Sequence, residues 1–319
     1  MPASRREFVQ TAAGLTLAAS SAIAADGVPK RKLGKTGLDI SMLGLGGARV
    51  GNLTDNQEAL KVIRRFYELG VNYFDSASSI PYGVASKRYG EALADVRKDI
   101  LIGTKTRHRT FLHAQMDLEQ SFRYLKTDYV DLYQVHNVQS DEDVELILGP
   151  RGVLEYLAKA KKDGLVRNIG ITGHTDPKAM NRLMAAYDWD TVLIPLSILE
   201  GARLQKSFEA ETLPAAKKSG IGLFAMKTTA AGALLSERKA TLDECLNYAW
   251  TLGADCNIVG CNAVSQVEDD VRIAKSHQPM TAERMDSLRA RAQTFDLAAL
   301  QPWKGLPRAT GESAPYLAD

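Results

Sequence analysis

The chain has 319 residues, 45% apolar and 24% charged, with 40 Lys and Arg against 38 Asp and Glu and a formal net charge of +2. That composition is ordinary for a globular protein and excludes collagen-like, disordered and disulfide-scaffold classes. The near-neutral total argues against a general nucleic-acid or polyanion binder, and the length admits either two domains or one α/β barrel with extensions.

Ser4-Arg5-Arg6-Glu7-Phe8 stands near the start, and an uncharged stretch from Val9 to Ala25 follows, containing Ala22-Ile23-Ala24. A basic start, an apolar middle and an A-x-A end are the three parts of an export signal. The paired arginines before Phe8 resemble the twin-arginine (Tat) type. The apolar part is too short and too rich in Ala, Thr and Ser for a membrane span of about 20 residues. The expectation is a Tat signal peptide over residues 1–24, cleaved after Ala24. It implies passage through the Tat translocase to the periplasm. No later stretch has 18 consecutive apolar residues, so no membrane partner is expected once the signal is removed.

From residue 42 onward, short apolar runs alternate with longer amphipathic stretches. The strand candidates are 42–46, 71–75, 100–104, 130–135, 166–171, 191–194, 221–226 and 256–260. After the first run, Ala59, Val62, Ile63, Phe66 and Leu69 form one face at a helical period. Thr54-x-x-Gln57, Thr241-x-x-Glu244 and Ser265-x-x-Glu268 fit capping boxes, and Asp176-Pro177 places a cap before a proline at the first helical position. Gly70, Gly164 and Gly220 follow helical patterns where a left-handed cap is expected.

Eight strand–helix units predict a single (β/α)8 TIM barrel over residues 25–319, with an additional helix over 281–297 and a Pro/Gly-containing tail over 298–319. A doubly wound open sheet is the alternative, but Gly44-Leu45-Gly46-Gly47 lacks the dinucleotide-binding G-x-G-x-x-G spacing that fold usually brings. Cys245, Cys256 and Cys261 have neither disulfide nor metal spacing and read as buried free thiols.

Barrel enzymes carry their chemistry at the C-terminal ends of the strands. Three consecutive runs end in Asp75, Lys105 and His136, and Tyr82 follows in the loop after Asp75. Alternation puts Asp75 on one face with Tyr73 and Val71, and His136 with Gln134 and Leu132. If those faces point inward, the four groups meet at one mouth. A phenol with a pKa of about 10 is a poor acid at neutral pH, and an adjacent ammonium favours its phenolate. A carboxylate keeps the lysine charged and placed, and an imidazole N–H supplies a second donor. Such a set can hold and protonate a carbonyl oxygen that gains charge. The hydride for carbonyl reduction must come from a cofactor.

These residues lie in segments that resemble the aldo/keto reductase family: Phe74-Asp75-Ser76-Ala77, Tyr82-Gly83 with Gly90-Glu91-Ala92-Leu93, Ile102-Gly103-Thr104-Lys105, and Asp131-Leu132-Tyr133-Gln134-Val135-His136. Leu43-Gly44-Leu45-Gly46 and Gly164-Leu165-Val166-Arg167-Asn168-Ile169-Gly170-Ile171 add to the likeness, which runs over roughly residues 30–275. The resemblance implies the barrel, NADP(H)-dependent chemistry on a small carbonyl or alcohol substrate, and a tetrad of Asp75, Tyr82, Lys105 and His136 with Tyr82 as general acid. Tyr89 is the other nearby phenol; Tyr82 is preferred because its distance to Gly90 keeps the family spacing, although the interval from Asp75 is two residues longer than usual.

The resemblance also places cofactor contacts, besides Asp75, at Thr172, Gly173, Met226, Lys227, Gly260, Cys261, Asn262, Gln266 and Asp270. Several depart from the family pattern. Thr172-Gly173-His174 stands where Ser-Asn is usual, as in a related branch of the family, and Leu193 stands where a glutamine usually holds the nicotinamide amide. Met226 replaces the aromatic that stacks under the ring, and Lys227 follows it as a point charge for the pyrophosphate. Gln266 is neutral and Asp270 replaces a common asparagine, so NAD is open beside NADP.

For the substrate, Arg49, Arg107, His108 and Arg109 offer a basic rim suited to a sugar acid or phosphate, and Trp303 in the tail a cover for the mouth. The leading expectation is an exported oxidoreductase that carries its nucleotide with it. A nucleotide-binding barrel of the same family with little or no activity, acting as an interaction or regulatory module, is the alternative. A lyase or isomerase ranks third.

Overall fold

The computed structural model describes residues 27–203 and 205–304. The expected signal, residues 1–24, and the end of the expected tail, residues 305–319, lie outside the described residues.

A short antiparallel hairpin comes first, β1 (Lys30–Lys32) and β2 (Asp39–Ser41). Eight parallel strands follow: β3 (Leu43–Gly46), β4 (Tyr73–Asp75), β5 (Leu101–Thr106), β6 (Val130–Val135), β7 (Val166–Thr172), β8 (Thr191–Pro195), β9 (Gly222–Met226) and β10 (Cys256–Val259). They pair in sequence order, and β10 closes on β3. The expected eight-stranded barrel is the observed one, with helices packed around it.

Alternation along each strand sorts its side chains into two layers. Outward residues such as Leu43, Leu45, Phe74, Tyr133, Ile169, Ile171 and Val192 pack with buried helix residues in one continuous core. The helix Asn56–Glu68 contributes Ala59, Val62, Ile63 and Phe66, all buried. Fully burying each larger apolar side chain is worth about 1.5–3 kcal/mol. Inward residues Tyr73, Leu132, Leu193, Phe224, Met226 and Cys256 form a separate core with Leu33 and Ile40 of the hairpin. The hairpin is thus the floor of the barrel. Its three-residue strands carry too little alternation to be recognised by pattern.

Helix boundaries test the local readings. Thr241 and Glu244 form the expected capping box, Asp176 caps the helix Pro177–Ala186, and Gly70, Gly164 and Gly220 take positive φ. Two expected caps are corrected. Asp55, not Thr54, accepts the N–H groups of Gln57 and Glu58, because a carboxylate next to the helix start reaches both. The helix Val264–Lys275 begins one residue before Ser265, so Ala263 occupies the cap position without a side-chain bond. The helix expected over 281–297 is two pieces, Ala282–Ala292 and Leu297–Leu300, the second capped by Asp296. All three cysteines are free and buried.

Candidate active site

Asp75 ends β4 and Lys105 lies in β5, both pointing into the barrel. The register pairs Asp75 with Gly103, two residues before Lys105, and Lys105 Nζ donates to Asp75 Oδ2 at 2.5 Å and to the Ser76 carbonyl at 2.9 Å. The same ammonium donates to Tyr82 Oη at 3.1 Å, and Tyr82 Oη donates to Asp75 Oδ2 at 3.3 Å. Tyr73 Oη donates to the other carboxylate oxygen at 3.2 Å. Burial lowers the Lys105 pKa from its ordinary value, against the opposing pull of Asp75. Burial and the Asp75 charge hold Tyr73 well above the usual phenol range, so it stays a donor.

Tyr82 sits in a 3-10 turn, Ile80–Tyr82, pressed against the short helix Gly47–Asn52. A Cβ on Gly51 would lie 2.0 Å from the Tyr82 carbonyl oxygen, so only glycine permits this approach. Gly83 closes the turn with φ +49. Buried Arg88 donates to the Val50 and Leu53 carbonyls and fixes the helix from behind. Tyr89, the other phenol, is buried and donates to the Leu45 carbonyl at 2.9 Å, a packing role away from the tetrad.

His136 follows β6, with its ring 6.2 Å from that of Tyr82, edge to face. The structure thus gathers all four expected groups at one mouth. It adds His174, whose ring lies 5.8 Å from that of His136. Burial pushes both imidazoles well below the usual histidine range, helped at His136 by His174 and then by Lys105, Arg107 and Arg109, and at His174 by Lys227, Lys105, Arg107 and Lys304. The sequence placed His174 beside Thr172-Gly173 but did not nominate it; its signal was an ionisable group just beyond a strand end.

A cavity of about 290 Å³ opens beside the tetrad. Asp75 and Tyr82 stand at its inner end; Met226, Lys227, Gly260, Cys261, Asn262, Gln266 and Asp270 line it, together with Leu193 and Ile258. The loop after β9 contributes a wall that sequence reasoning missed, Thr228, Thr229, Ala231 and Gly232. Its backbone has positive φ at Lys227, Ala230, Ala231 and Gly232, which composition alone does not announce. Thr172 and Gly173 are not on this wall. Thr172 Oγ1 accepts from the Asn137 N–H at 3.4 Å, and Gly173 packs against Met180.

The aldo/keto reductase family profile matches residues 42–248. The chain belongs to the aldo/keto reductase family. Among its relatives, it is 32% identical over 155 residues to an uncharacterized oxidoreductase of Bacillus subtilis, YqkF, which covers 45% of this chain and 48% of that one. It therefore spans about half the length of that relative. It is 25% identical over 280 residues to an L-galactose dehydrogenase of Arabidopsis thaliana, covering 76% of this chain and 86% of that one. An aldo-keto reductase structure from Bacillus halodurans, in its holo form, superposes with a TM-score of 0.71 at 23% identity, covering 84% of this chain and 98% of that one. That likeness establishes the fold.

Aldo/keto reductases generally use a nicotinamide dinucleotide, and the residues lining the cavity fit one. Met226, Leu193 and Ile258 make an apolar wall next to Tyr82, while Arg49 and Lys227 bring cationic groups. Burial and Arg49 pull Lys227 down to about 7. At the far end burial raises Asp270 to about 7, and Cys261 Sγ donates to it at 3.1 Å. Gln266 accepts the Asn262 N–H at 2.7 Å.

The expected basic rim breaks up. Arg49 lies against Gly260 on the cavity side and donates to the Ala231 carbonyl at 3.0 Å. Arg109 pairs with Asp143 and donates to the Arg107, His136 and Asn137 carbonyls, so it holds loops together. His108 is tied to Asp117. Arg107 acts electrostatically on both His136 and His174. Trp303 lies under the Lys227 ammonium, which stands 4.9 Å from the centre of its ring.

Proposed function

We propose that this aldo/keto reductase moves a hydride between a nicotinamide dinucleotide and a carbonyl or alcohol carbon, with Tyr82 as the general acid. One observation carries the reading: Tyr82 Oη sits within hydrogen-bond reach of both Lys105 Nζ and Asp75 Oδ2, at the inner end of the cavity. The dinucleotide supplies the hydride when bound. Tyr82 turns its proton from Asp75 to the substrate oxygen, and Lys105 steadies the phenolate left behind. Asp75 keeps Lys105 placed, and the neutral His136 offers a second hydrogen bond to the developing oxyanion. Met226 would hold the nicotinamide ring, and Lys227 with Arg49 would hold the pyrophosphate.

NADP(H) is the proposed cofactor. The neutral Gln266 and the acid Asp270 make NAD(H) the competing outcome of the same test. Turnover of a carbonyl panel with each nucleotide, in wild type and in Tyr82→Phe, tests the assignment; equal rates in the two proteins refute it.

The Tat-like segment, residues 1–24, supports a periplasmic location. A nucleotide loaded before export and kept through turnover supplies the redox partner there. Fractionation of cells carrying Arg5→Lys with Arg6→Lys tests the route, with retention in the cytoplasm as the expected result. Mass identification of nucleotide released from denatured periplasmic protein tests the retention. Among the described residues, no helix is long and apolar enough to cross a membrane.

A further inference from the structure

Buried polar side chains in folded proteins are nearly always hydrogen-bonded. Among the described residues, nine buried side-chain polar atoms have no partner, and five of them belong to segments at the barrel mouth: Ser79 Oγ, His136 Nδ1, Asn137 Oδ1, Thr175 Oγ1 and Trp303 Nε1. They lie in the loops after β4, β6 and β7 and in the tail. His174 stands among them, only 6% exposed, and makes no side-chain hydrogen bond to another described residue.

This group is built, not loose. β6 and β7 are paired through Val135 and Ile171, and the Val138 N–H donates to the Thr172 carbonyl at 2.8 Å, tying the two following loops together. A Cβ on Gly173 would lie 2.5 Å from Met180 Sδ and 3.1 Å from the Val138 carbonyl oxygen, so a side chain there would force Met180 of the helix Pro177–Ala186 to shift. Asp176 caps that helix. His174 is thereby held with its ring 5.8 Å from that of His136, at an interplanar angle of 63°.

Besides burial, His174 and then Lys105, Arg107 and Arg109 disfavour a charge on His136, and Lys227, Lys105, Arg107 and Lys304 disfavour one on His174. Both rings are therefore neutral, and each offers one donor and one acceptor. A hydroxyl group has the same two capacities. Arg109 and His108 are engaged by Asp143 and Asp117, which weakens the case for an anionic substrate.

We propose that His174, next to His136 and in loops that also carry the unmet Asn137 Oδ1 and Thr175 Oγ1, binds the hydroxyl on the carbon adjacent to the reacting carbonyl, so that the site selects α-hydroxy carbonyls and their vicinal-diol partners. The proposal rests on the oxidoreductase reading above. While Tyr82 and His136 hold the reacting oxygen, the neighbouring oxygen falls to His174. A substrate without that hydroxyl leaves buried groups unmet and is rejected for that reason.

The test compares kcat/KM for 2-hydroxypropanal and propanal, in wild type, His174→Phe and His174→Gln. Wild type is expected to favour the hydroxy aldehyde by at least about 10-fold. Phenylalanine keeps the ring volume and should bring the ratio close to one; glutamine keeps a donor and an acceptor and should restore part of it. A wild-type ratio near one, or a ratio unchanged in His174→Phe, overturns the proposal. A second readout does not need turnover. Histidine ring proton signals are followed by NMR while 1,2-propanediol or 1-propanol is added, with His174 assigned from its variant. A shift of His174 with the diol and not with the mono-alcohol upholds the site even in a protein that reduces neither aldehyde, a result that would sink the redox reading instead. Equal responses to the two alcohols overturn it.

Discussion

Lys105 Nζ lies 2.5 Å from Asp75 Oδ2, and both side chains are sealed from solvent inside the barrel. Neither charge has water to fall back on. Their attraction offsets a desolvation cost that each would otherwise bear alone. Lys105→Met leaves Asp75 as an uncompensated buried charge, and the expected loss is about 3–5 kcal/mol of stability. Denaturant unfolding measures it. Adding Asp75→Asn should recover part of that loss, giving a coupling energy well away from zero.

Tyr82→Phe removes the proposed acid and keeps the ring. The expected loss in turnover is on the order of 10²–10⁴, with an unfolding midpoint close to that of wild type. Steady-state kinetics and a thermal melt on the same preparation check both halves.

Gly51→Ala touches no reacting group. Its new Cβ would lie 2.0 Å from the Tyr82 carbonyl oxygen, so the turn that carries the phenol must move. Displacements of this order in a catalytic group cost about 10²-fold in rate. The expected result is a large fall in kcat with a smaller change in nucleotide affinity. Intact nucleotide binding alongside unaltered kcat contradicts the positioning argument.

The imidazoles of His136 and His174 are held well below the ordinary histidine value of 6.5. Between that value and their depressed folded values, the unfolded chain binds more protons than the native one. Stability therefore rises with pH in that window and is lost as pH falls below about 6.5. Each histidine contributes a limiting slope of about 1.4 kcal/mol per pH unit. Urea midpoints between pH 5 and pH 7.5 should show the slope, and His136→Gln should flatten it.

Lys227 titrates near 7, so its charge is partial under neutral conditions. An anionic nucleotide favours the ammonium, and its affinity should weaken as pH rises through that value. Lys227→Met should weaken binding by about 10-fold or more and remove this dependence, because the titrating charge is gone. Fluorescence titration with the reduced nucleotide at pH 6 and pH 8 measures both effects.

Much of the barrel is legible in the chain because its signals are local. A strand such as Val130–Val135 and a helix such as Asn56–Glu68 repeat their apolar residues at periods set by backbone geometry. Parity puts Asp75 on one face with Tyr73 and His136 on one face with Gln134, and closure of the barrel makes those faces the inner ones. The Thr241 capping box and the Asp176-Pro177 helix start are equally local, and both form as expected. The family resemblance singled out Tyr82 from Tyr89, and packing agrees: the Tyr89 hydroxyl is bound to the Leu45 carbonyl.

Other features depend on residues far apart in the chain, and only folding brings them together. The floor of the barrel is such a feature, since Leu33 and Ile40 are buried by Phe224 and Cys256 rather than by any pattern of their own. The roles of the arginines are another: Arg109 meets Asp143 and two backbone carbonyls of the loop after β6, which turns a presumed rim charge into a brace. Gly51 matters through the carbonyl of Tyr82, and His174 through the ring of His136. The sequence by itself determined the order of strands and helices and which strand-end groups share a face, because those follow from short-range periodicity. The tertiary structure decided which cations are bound, which glycines permit contact and which imidazoles meet, because each depends on closing the barrel.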